Sequence, residues 1–439
     1  MNMRARLGAG VLALAFTAVA CTITFGTAPS STPSIPPDPP PSPVPTGPGS
    51  AAETMERLCE TPKTGGGGSG VTPEGPTPPA IATVEDQVES VRELTYTSHV
   101  AVTPLTQEQI DLRLTKNFEK TYPLDFYERR SRAWGTIGVI PAGISIRDAL
   151  LAFQTGQVVG FYNPANGKLV YIGDTELSLT ERFILAHELT HAIDDQHFGL
   201  GRIDPIAARC DDEAFAAALG AVEGSAQFFA TQVIVRFPQE TTGGSSGGDV
   251  GSLDGVPEFI VNLELWPYTA GMTFIQWLQE EGGTERVNEA LRTFPVSTEQ
   301  IIHPERWPND VPQPVDVPDL GPELGAGWTD LDVMTVGELW IQLMLDLRLS
   351  RDQASAAASG WDGGLYRAWS DGSRTAVVLR TEWDSRGQAR EFADAMTAWA
   401  NGSPDGAVSV QAPNDTSVDV VFGSDGSATR SLAEALGSP

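Results

Sequence analysis

The chain has 439 residues and a formal net charge of -29, from 28 Lys and Arg against 57 Asp and Glu. That length is sufficient for two domains with separate cores. An excess of negative charge this large repels phosphate backbones and anionic lipid head groups, so we expect no nucleic-acid partner. The sequence contains no loop of the EF-hand type, so the acidity by itself does not indicate calcium binding.

Residues 1–20 have the pattern of an export signal. Arg4 and Arg6 provide a positive start, and the apolar run "LGAGVLALAFTAVA" that follows is too short to span a bilayer stably. Small residues precede Cys21, and the segment resembles a bacterial lipoprotein signal, in which this cysteine is lipidated and becomes the new N-terminus. The resemblance implies an extracytoplasmic protein held to the cell membrane by its lipid. An ordinary cleaved signal or an uncleaved anchor are the alternatives.

Residues 21–79 have the composition of a tether. Proline-rich "TAPSSTPSIPPDPPPSPVPTGPGS" predicts an extended spacer, and "GGGGSG" predicts a flexible joint. Two further cysteines, Cys59 and Cys210, would lie in an oxidising compartment. A disulfide between them and two separate thiols are both compatible with the sequence. Metal binding by this pair is disfavoured, because a structural zinc site needs four ligands in short-spaced pairs.

Residues 80–325 are predicted to form a mostly helical domain. Helical spacing marks "TVEDQVESVREL", "TQEQIDLRLTKNFEKTY" and "IRDALLAF", and two β-rich runs around a Pro- and Gly-containing turn predict a hairpin at 157–172. Ser178 and Glu181 match a capping box, which opens a helix that should end at Gly199. Further helices are predicted at "DDEAFAAALGAVEGSAQFFATQVIV", "TAGMTFIQWLQEEGG" and "TERVNEALRTF", with a mobile Gly/Ser-rich loop at 241–255 that could gate a cleft.

Residues 326–439 are predicted to form a small α+β domain packed on the first. A capping box of Thr335 and Glu338 would start the helix "TVGELWIQLMLDLRL". A hairpin "LYRAWSDGSRTAVVLRTEW", a helix "SRGQAREFADAMTAWA" and a strand "SVDVVFG" follow. The predicted fold class of the whole chain is therefore α+β.

The segment "ERFILAHELTHAIDDQH" contains the pattern H-E-x-x-H. His187 and His191 are four residues apart, so one helix face directs both imidazoles to a single point, as a tetrahedral zinc ion requires. Glu188 lies about 100° around the helix from His187 and could reach a water beside the metal without binding the ion. A metal-free helix would have to bury two imidazoles and a carboxylate among apolar side chains. The pattern therefore predicts a zinc site with Glu188 as general base.

The segment "HELTHA" resembles the active-site helix of thermolysin-type zinc peptidases, the gluzincins. The chain is also similar to a group of secreted or lipid-anchored bacterial metallopeptidases with the patterns H-E-L-T-H-A-L-x-D-Q, E-G-D-A and S-T-E-Q-I-L-H-P-E. Here these are "HELTHAIDDQ", "EGSA" and "STEQIIHPE". The similarity covers most of 85–385. It implies a zincin-like domain, zinc and peptide hydrolysis, and it names no substrate.

Three candidates compete for the third metal ligand. His197 has the spacing of the metzincin pattern, but that pattern needs a glycine where Asp194 stands, and a continuing helix would turn His197 about 120° off the metal face. Glu223 shares a helix face with apolar and small residues, where an unpaired carboxylate would be costly, and it matches the glutamate of E-G-D-A. An acidic trio at a helix start is the third candidate, although acids there also stabilise the helix dipole. The trio is Asp211, Asp212 and Glu213. We favour Glu223.

The residues around the ligands depart from the resembled pattern. Ser225 stands where the group has Asp, so Gln227 or Asp195 would have to orient a ligand histidine. His303 and Tyr268 are candidates to stabilise charge on the scissile carbonyl, with a structural role as the alternative for each.

The leading hypothesis is a membrane-anchored, extracytoplasmic zinc metallopeptidase acting on peptides or proteins. The hairpin could supply an edge strand for the substrate, with an ordinary hairpin as the alternative. A zinc-binding lipoprotein scaffold without activity is the alternative, although such a site needs no base like Glu188. A solute-binding lipoprotein for import is the weakest hypothesis, because the helix-rich middle does not supply two similar α/β lobes.

Overall fold

The computed structural model describes residues 49–59, 79–106, 108–112, 115–116, 124–157, 160–164, 167–172, 177–238, 253–412 and 416–437. The predicted export signal, Cys21 and most of the loop at 241–255 lie outside these residues. Helices and two small β-sheets make up the described chain, which confirms the predicted α+β class. Among the described residues, no helix combines the length and apolar character needed to cross a membrane.

The helices are α1 (Ala51–Leu58), α2 (Pro79–Arg92), α3 (Leu124–Ile137), α4 (Ile146–Gln157), α5 (Leu179–Phe198), α6 (Asp204–Ala207), α7 (Asp212–Arg236), α8 (Glu258–Arg292), α9 (Thr298–Ile302), α10 (Gly321–Leu324), α11 (Glu338–Asp346), α12 (Arg351–Ala358), α13 (Arg386–Ala400) and α14 (Gly426–Gly437). The strands are β1 (Ala101–Leu105), β2 (Gly160–Asn163), β3 (Lys168–Ile172), β4 (Thr329–Thr335), β5 (Trp361–Ser370), β6 (Thr375–Trp383), β7 (Val408–Gln411) and β8 (Ser417–Gly423).

A three-stranded sheet of order β1-β3-β2 lies against α5. Strands β2 and β3 pair antiparallel, which confirms the predicted hairpin, and β1 pairs with β3 in parallel, which was not predicted. On its other sides α5 packs against α2 and α7. The buried apolar side chains between these elements include Leu185, Leu189, Ala218 and Val222.

Helices α7 and α8 touch backbone to backbone. A Cβ atom on Gly224 of α7 would lie 2.2 Å from the carbonyl carbon of Gly271 of α8, and one on Gly271 would lie 2.0 Å from the carbonyl oxygen of Gly220. No real side chain fits at such distances, so glycine at these positions permits the approach. Helix α8 also joins the two helices predicted from 269 onward, with a kink where Gly282 and Gly283 leave the helical conformation.

The C-terminal sheet is antiparallel, in the order β4-β5-β6-β8-β7. The predicted hairpin, helix and final strand are confirmed as β5 with β6, α13 and β8. The apolar core beside this sheet also contains side chains of α3, such as Trp134, which contacts Trp340. Helix α3 therefore packs on the sheet although it precedes residue 326.

The predicted capping box of Thr335 and Glu338 is wrong. Thr335 ends strand β4 and pairs with Leu365, and α11 begins at Glu338 after Gly337. The Thr335 hydroxyl instead accepts a hydrogen bond from the backbone of Glu213, at 3.0 Å. Pairing of β4 with β5 outweighs the local capping signal, as tertiary context often does.

Part of the range predicted as a tether is folded. Helix α1 is capped by Ser50, packs on β4, and is followed by Cys59, which forms a disulfide with Cys210. Arg57 of α1 forms an ion pair with Asp330 of β4. The disulfide attaches α1 to the residues immediately before α7.

Candidate metal centre

Helix α5 has strong start and stop signals on either side of its histidines. The Ser178 hydroxyl accepts from the backbone of Glu181 at 3.2 Å, and the Glu181 carboxylate accepts from the backbone of Ser178 at 2.7 Å. Gly199 ends the helix with φ 68°, a left-handed conformation that favours glycine. Both predicted ends are confirmed. His187 and His191 therefore lie on an uninterrupted helix, one turn apart.

Three donor atoms from two helices converge at the centre of the domain. His187 Nε2 and His191 Nε2 of α5 lie 3.0 Å apart, and each is 3.2 Å from Oε2 of Glu223 on α7. All three residues are at most 1% exposed. Among the described residues, these three side chains form a group that could hold a metal ion.

The donor set fits a tetrahedral metal ion. With metal–ligand distances near 2.0–2.1 Å, two ligands of a tetrahedral zinc lie roughly 3.3 Å apart. The observed separations of 3.0–3.2 Å are close to that value. Within the described part of the chain, Glu223 Oε1 has no hydrogen-bond partner, and no Arg or Lys pairs with this carboxylate. A buried carboxylate facing two imidazoles is stabilised by a cation between them.

The electrostatics of the group also favour an anionic carboxylate. Burial opposes charge on Glu223, but the imidazoles of His191 and His187 outweigh it and lower the pKa of the carboxyl group. Burial likewise opposes charge on His191, while Glu223, Glu188 and Asp194 raise the pKa of its imidazole. The surrounding carboxylates thus favour positive charge within this group.

Glu188 lies beside the group and is not one of its three ligands. Its Oε2 atom accepts a hydrogen bond of 2.6 Å from the backbone nitrogen of Tyr162 on β2, and its side chain is fully buried. The Tyr162 hydroxyl donates to Asp195 of α5 at 2.9 Å. Strand β2 is thus held against α5 at two points.

The other candidate ligands lie elsewhere. His197 Nε2 is 2.8 Å from the carbonyl oxygen of Thr95, and continuation of the helix to Phe198 explains its different direction. The acidic trio forms separate contacts at the start of α7. Asp211 accepts from Thr335, Asp212 pairs with Arg130, and Glu213 accepts from Thr298.

Among the described residues, Asp195 does not orient a ligand histidine. Asp195 accepts from Tyr162 and from the backbone of Leu200, and within the described residues His191 Nδ1 has no hydrogen-bond partner. Ser225 instead donates to Asp194 at 2.7 Å.

Arg92 and Asp194 were not selected from the sequence. Arg92 Nε donates to Asp194 Oδ1 at 2.7 Å, and both side chains are buried. The available signal was Asp194 itself, the first acid after the motif, three residues beyond His191. The sequence could not show that its partner comes from α2, about one hundred residues earlier.

The two predicted carbonyl-stabilising residues have different surroundings. The ring of Tyr268 on α8 lies 6.1 Å from the ring of His187, so this tyrosine borders the centre. His303 Nε2 lies 3.1 Å from Glu338 Oε1, in a contact between α9 and α11. The Glu338 hydrogen bond raises the pKa of His303 against the opposing effect of burial.

Comparison with known proteins concerns the other end of the chain. A family model described as a domain of unknown function (DUF8575) matches residues 328–432. The match falls on the C-terminal sheet and its helices, and the metal-centre residues lie outside it. No curated protein and no solved structure matches the chain. The geometry of the metal centre is therefore the feature that bears on function.

Proposed function

We propose that this protein is a zinc metallopeptidase of the gluzincin type, with a zincin-like helical domain. The observation that carries the proposal is the convergence of His187, His191 and Glu223 within 3.0–3.2 Å, next to a glutamate that does not belong to the ligand group. Three protein ligands leave a fourth position open, which is typical of catalytic rather than structural zinc sites.

Each residue of the centre has a separate task in this proposal. Bound zinc would polarise the scissile carbonyl and activate a water molecule. His187, His191 and Glu223 hold the ion. Glu188 accepts the proton of the attacking water and transfers it to the leaving amine. Its hydrogen bond from the Tyr162 backbone fixes the carboxylate orientation on the same helix as two ligands.

Strand β2 supports an extended peptide as substrate. It is the last strand in the order β1-β3-β2, and its Tyr162 N–H points at Glu188 rather than at a strand. An extended peptide could pair with this edge through other backbone groups of β2, while the Tyr162 N–H stays bonded to Glu188. Tyr268, beside His187, would then be placed to contact the scissile carbonyl.

We also propose that the protein acts outside the cytoplasm, held to the membrane through lipidated Cys21. The signal-like sequence of residues 1–20 supports this placement. The disulfide between Cys59 and Cys210 supports it independently, because such bonds persist in oxidising compartments.

The test uses the full chain and its Glu188→Gln variant. We expect about one zinc per chain in both proteins. We also expect the wild type to hydrolyse a mixed peptide library, at a rate at least about a hundredfold higher than that of the variant. Metal content is measured by elemental analysis and cleavage by mass spectrometry. A folded wild type that binds no zinc would exclude the proposal, and equal cleavage by both proteins would exclude Glu188 as the base.

A catalytically inactive zinc-binding scaffold is the second candidate. The observation that favours it is the complete burial of Glu188, whose carboxylate is bonded to Tyr162. In that case the wild type would bind zinc and cleave no peptide in the library, and Glu188→Gln would change only stability. The same two proteins therefore separate the candidates.

A further inference from the structure

A buried polar group joins the two helices that carry the metal ligands. Arg92 of α2 donates to Asp194 of α5 at 2.7 Å, and Ser225 of α7 donates to the other oxygen of Asp194, also at 2.7 Å. The exposed fraction of each residue is 1% or less. We call these three residues the polar clasp.

The clasp lies next to the ligands along both helices. Asp194 follows His191 by three residues, and Ser225 follows Glu223 by two. The guanidinium carbon of Arg92 also lies 4.8 Å from the ring centroid of Phe229 on α7, so α2 holds both helices. Because Arg92 neutralises Asp194, the clasp adds no net charge beside the centre.

The position of Ser225 on α7 determines what the clasp can do. Successive residues of an α-helix are 100° apart, so Glu223 and Ser225 lie on either side of Gly224. Gly224 faces α8, where a Cβ would collide with Gly271. Glu223 and Ser225 therefore reach α5 from opposite flanks of α7. A rotation of α7 that moves the Glu223 carboxylate away from the histidines would break the bond from Ser225 to Asp194.

We propose that Arg92, Asp194 and Ser225 are positioning residues that fix the rotation of α7 and thereby aim Glu223 at the metal. This inference rests on the proposed zinc site. In the proposal, the Ser225 hydroxyl donates a hydrogen bond to Asp194 on α5. An acid at position 225 could not have this role. A carboxylate there would face the Asp194 carboxylate and repel it.

The test compares zinc affinity in three full-length proteins: the wild type, Ser225→Ala and Ser297→Ala. Ser297 is the matched control, because it is also a fully buried serine but caps α9, through the backbone of Gln300. Zinc affinity is measured by competition with a chromophoric chelator, and ligand geometry by the visible absorption of the cobalt-substituted protein. Neither readout requires catalysis.

We expect Ser225→Ala to bind zinc about tenfold more weakly and to show an altered cobalt spectrum, with Ser297→Ala equal to the wild type. Asp194→Asn, in which the charge that pairs with Arg92 is removed, should weaken binding in the same direction. Unchanged affinity and spectrum in Ser225→Ala would overturn the clasp while leaving the zinc site standing. Equal losses in Ser225→Ala and Ser297→Ala would also overturn it, as general destabilisation. A wild type that binds no zinc would overturn the zinc site and the clasp together.

Discussion

Buried charged groups occur in both the metal centre and the C-terminal sheet, but they are neutralised in different ways. In the sheet, Asp419 accepts two hydrogen bonds from Arg380, at 2.7 and 2.8 Å, and Asp332 pairs with Arg130 at 3.0 Å. In the centre, the Glu223 carboxylate contacts two imidazoles. A buried charge is costly unless it is paired. The buried acids of the sheet are therefore balanced by arginines of β6 and α3, whereas the acid of the centre faces two imidazoles that could hold a metal ion with it.

The largest effect should come from breaking a pair in the sheet. In Asp332→Ala, Arg130 loses one of two counter-ions and keeps Asp212. Tyr366 also loses its hydrogen-bond acceptor. We expect the free energy of unfolding to fall by about 3 kcal/mol, with zinc bound per chain unchanged. Urea unfolding measures the loss. In the control Glu289→Ala, which breaks an exposed pair with Arg286, the loss should stay below about 1 kcal/mol. A similar small loss in Asp332→Ala would contradict the comparison.

Removal of zinc should have the next largest effect on the free energy of unfolding, and this effect should require the metal ligands. At a free zinc concentration about 100 times its Kd, binding adds about 2.7 kcal/mol to the free energy of unfolding, which a chelator should abolish. In Glu223→Gln the zinc-dependent difference should be lost. Thermal unfolding with and without chelator tests both statements, and a wild type insensitive to chelator would refute them.

A pH-dependent effect concerns Glu213, at the junction of the two regions. Its carboxyl group accepts from the backbone and hydroxyl of Thr298, yet burial raises its pKa to about 8. Between the ordinary pKa and about 8 the group is protonated in the folded protein and ionised in the unfolded chain. Stability should therefore decrease as pH rises through this interval and level off above it.

Glu213→Gln should remove this contribution, so its free energy of unfolding should fall less steeply from pH 5 to pH 8 than that of the wild type. Urea unfolding at several pH values measures the difference between the two slopes. Parallel curves would show that the group is ionised in the folded state.

Some elements were predictable because their signals are local. The ends of α5 follow from Ser178, Glu181 and Gly199, whose contacts lie within one turn of the helix. The hairpin of β2 and β3, helix α7 and strand β8 follow equally from short patterns. Elements whose formation depends on distant partners were missed. Strand β1 needs β3, and α1 lies in a range whose composition indicates a spacer but packs on β4.

The sequence by itself determined that His187 and His191 share one helix face, with Glu188 beside them, because that relation depends only on helical geometry. The sequence left several candidates for the third metal ligand. The tertiary structure brings Glu223, 32 residues after His191, to the two histidines. Helix α7 is held in this position by its glycine contact with α8 and by the hydrogen bond from Ser225 to α5. The tertiary structure also brings Arg92 of α2 into hydrogen-bond contact with Asp194. Such contacts arise from the packing of helices far apart in the chain, and no local pattern encodes them.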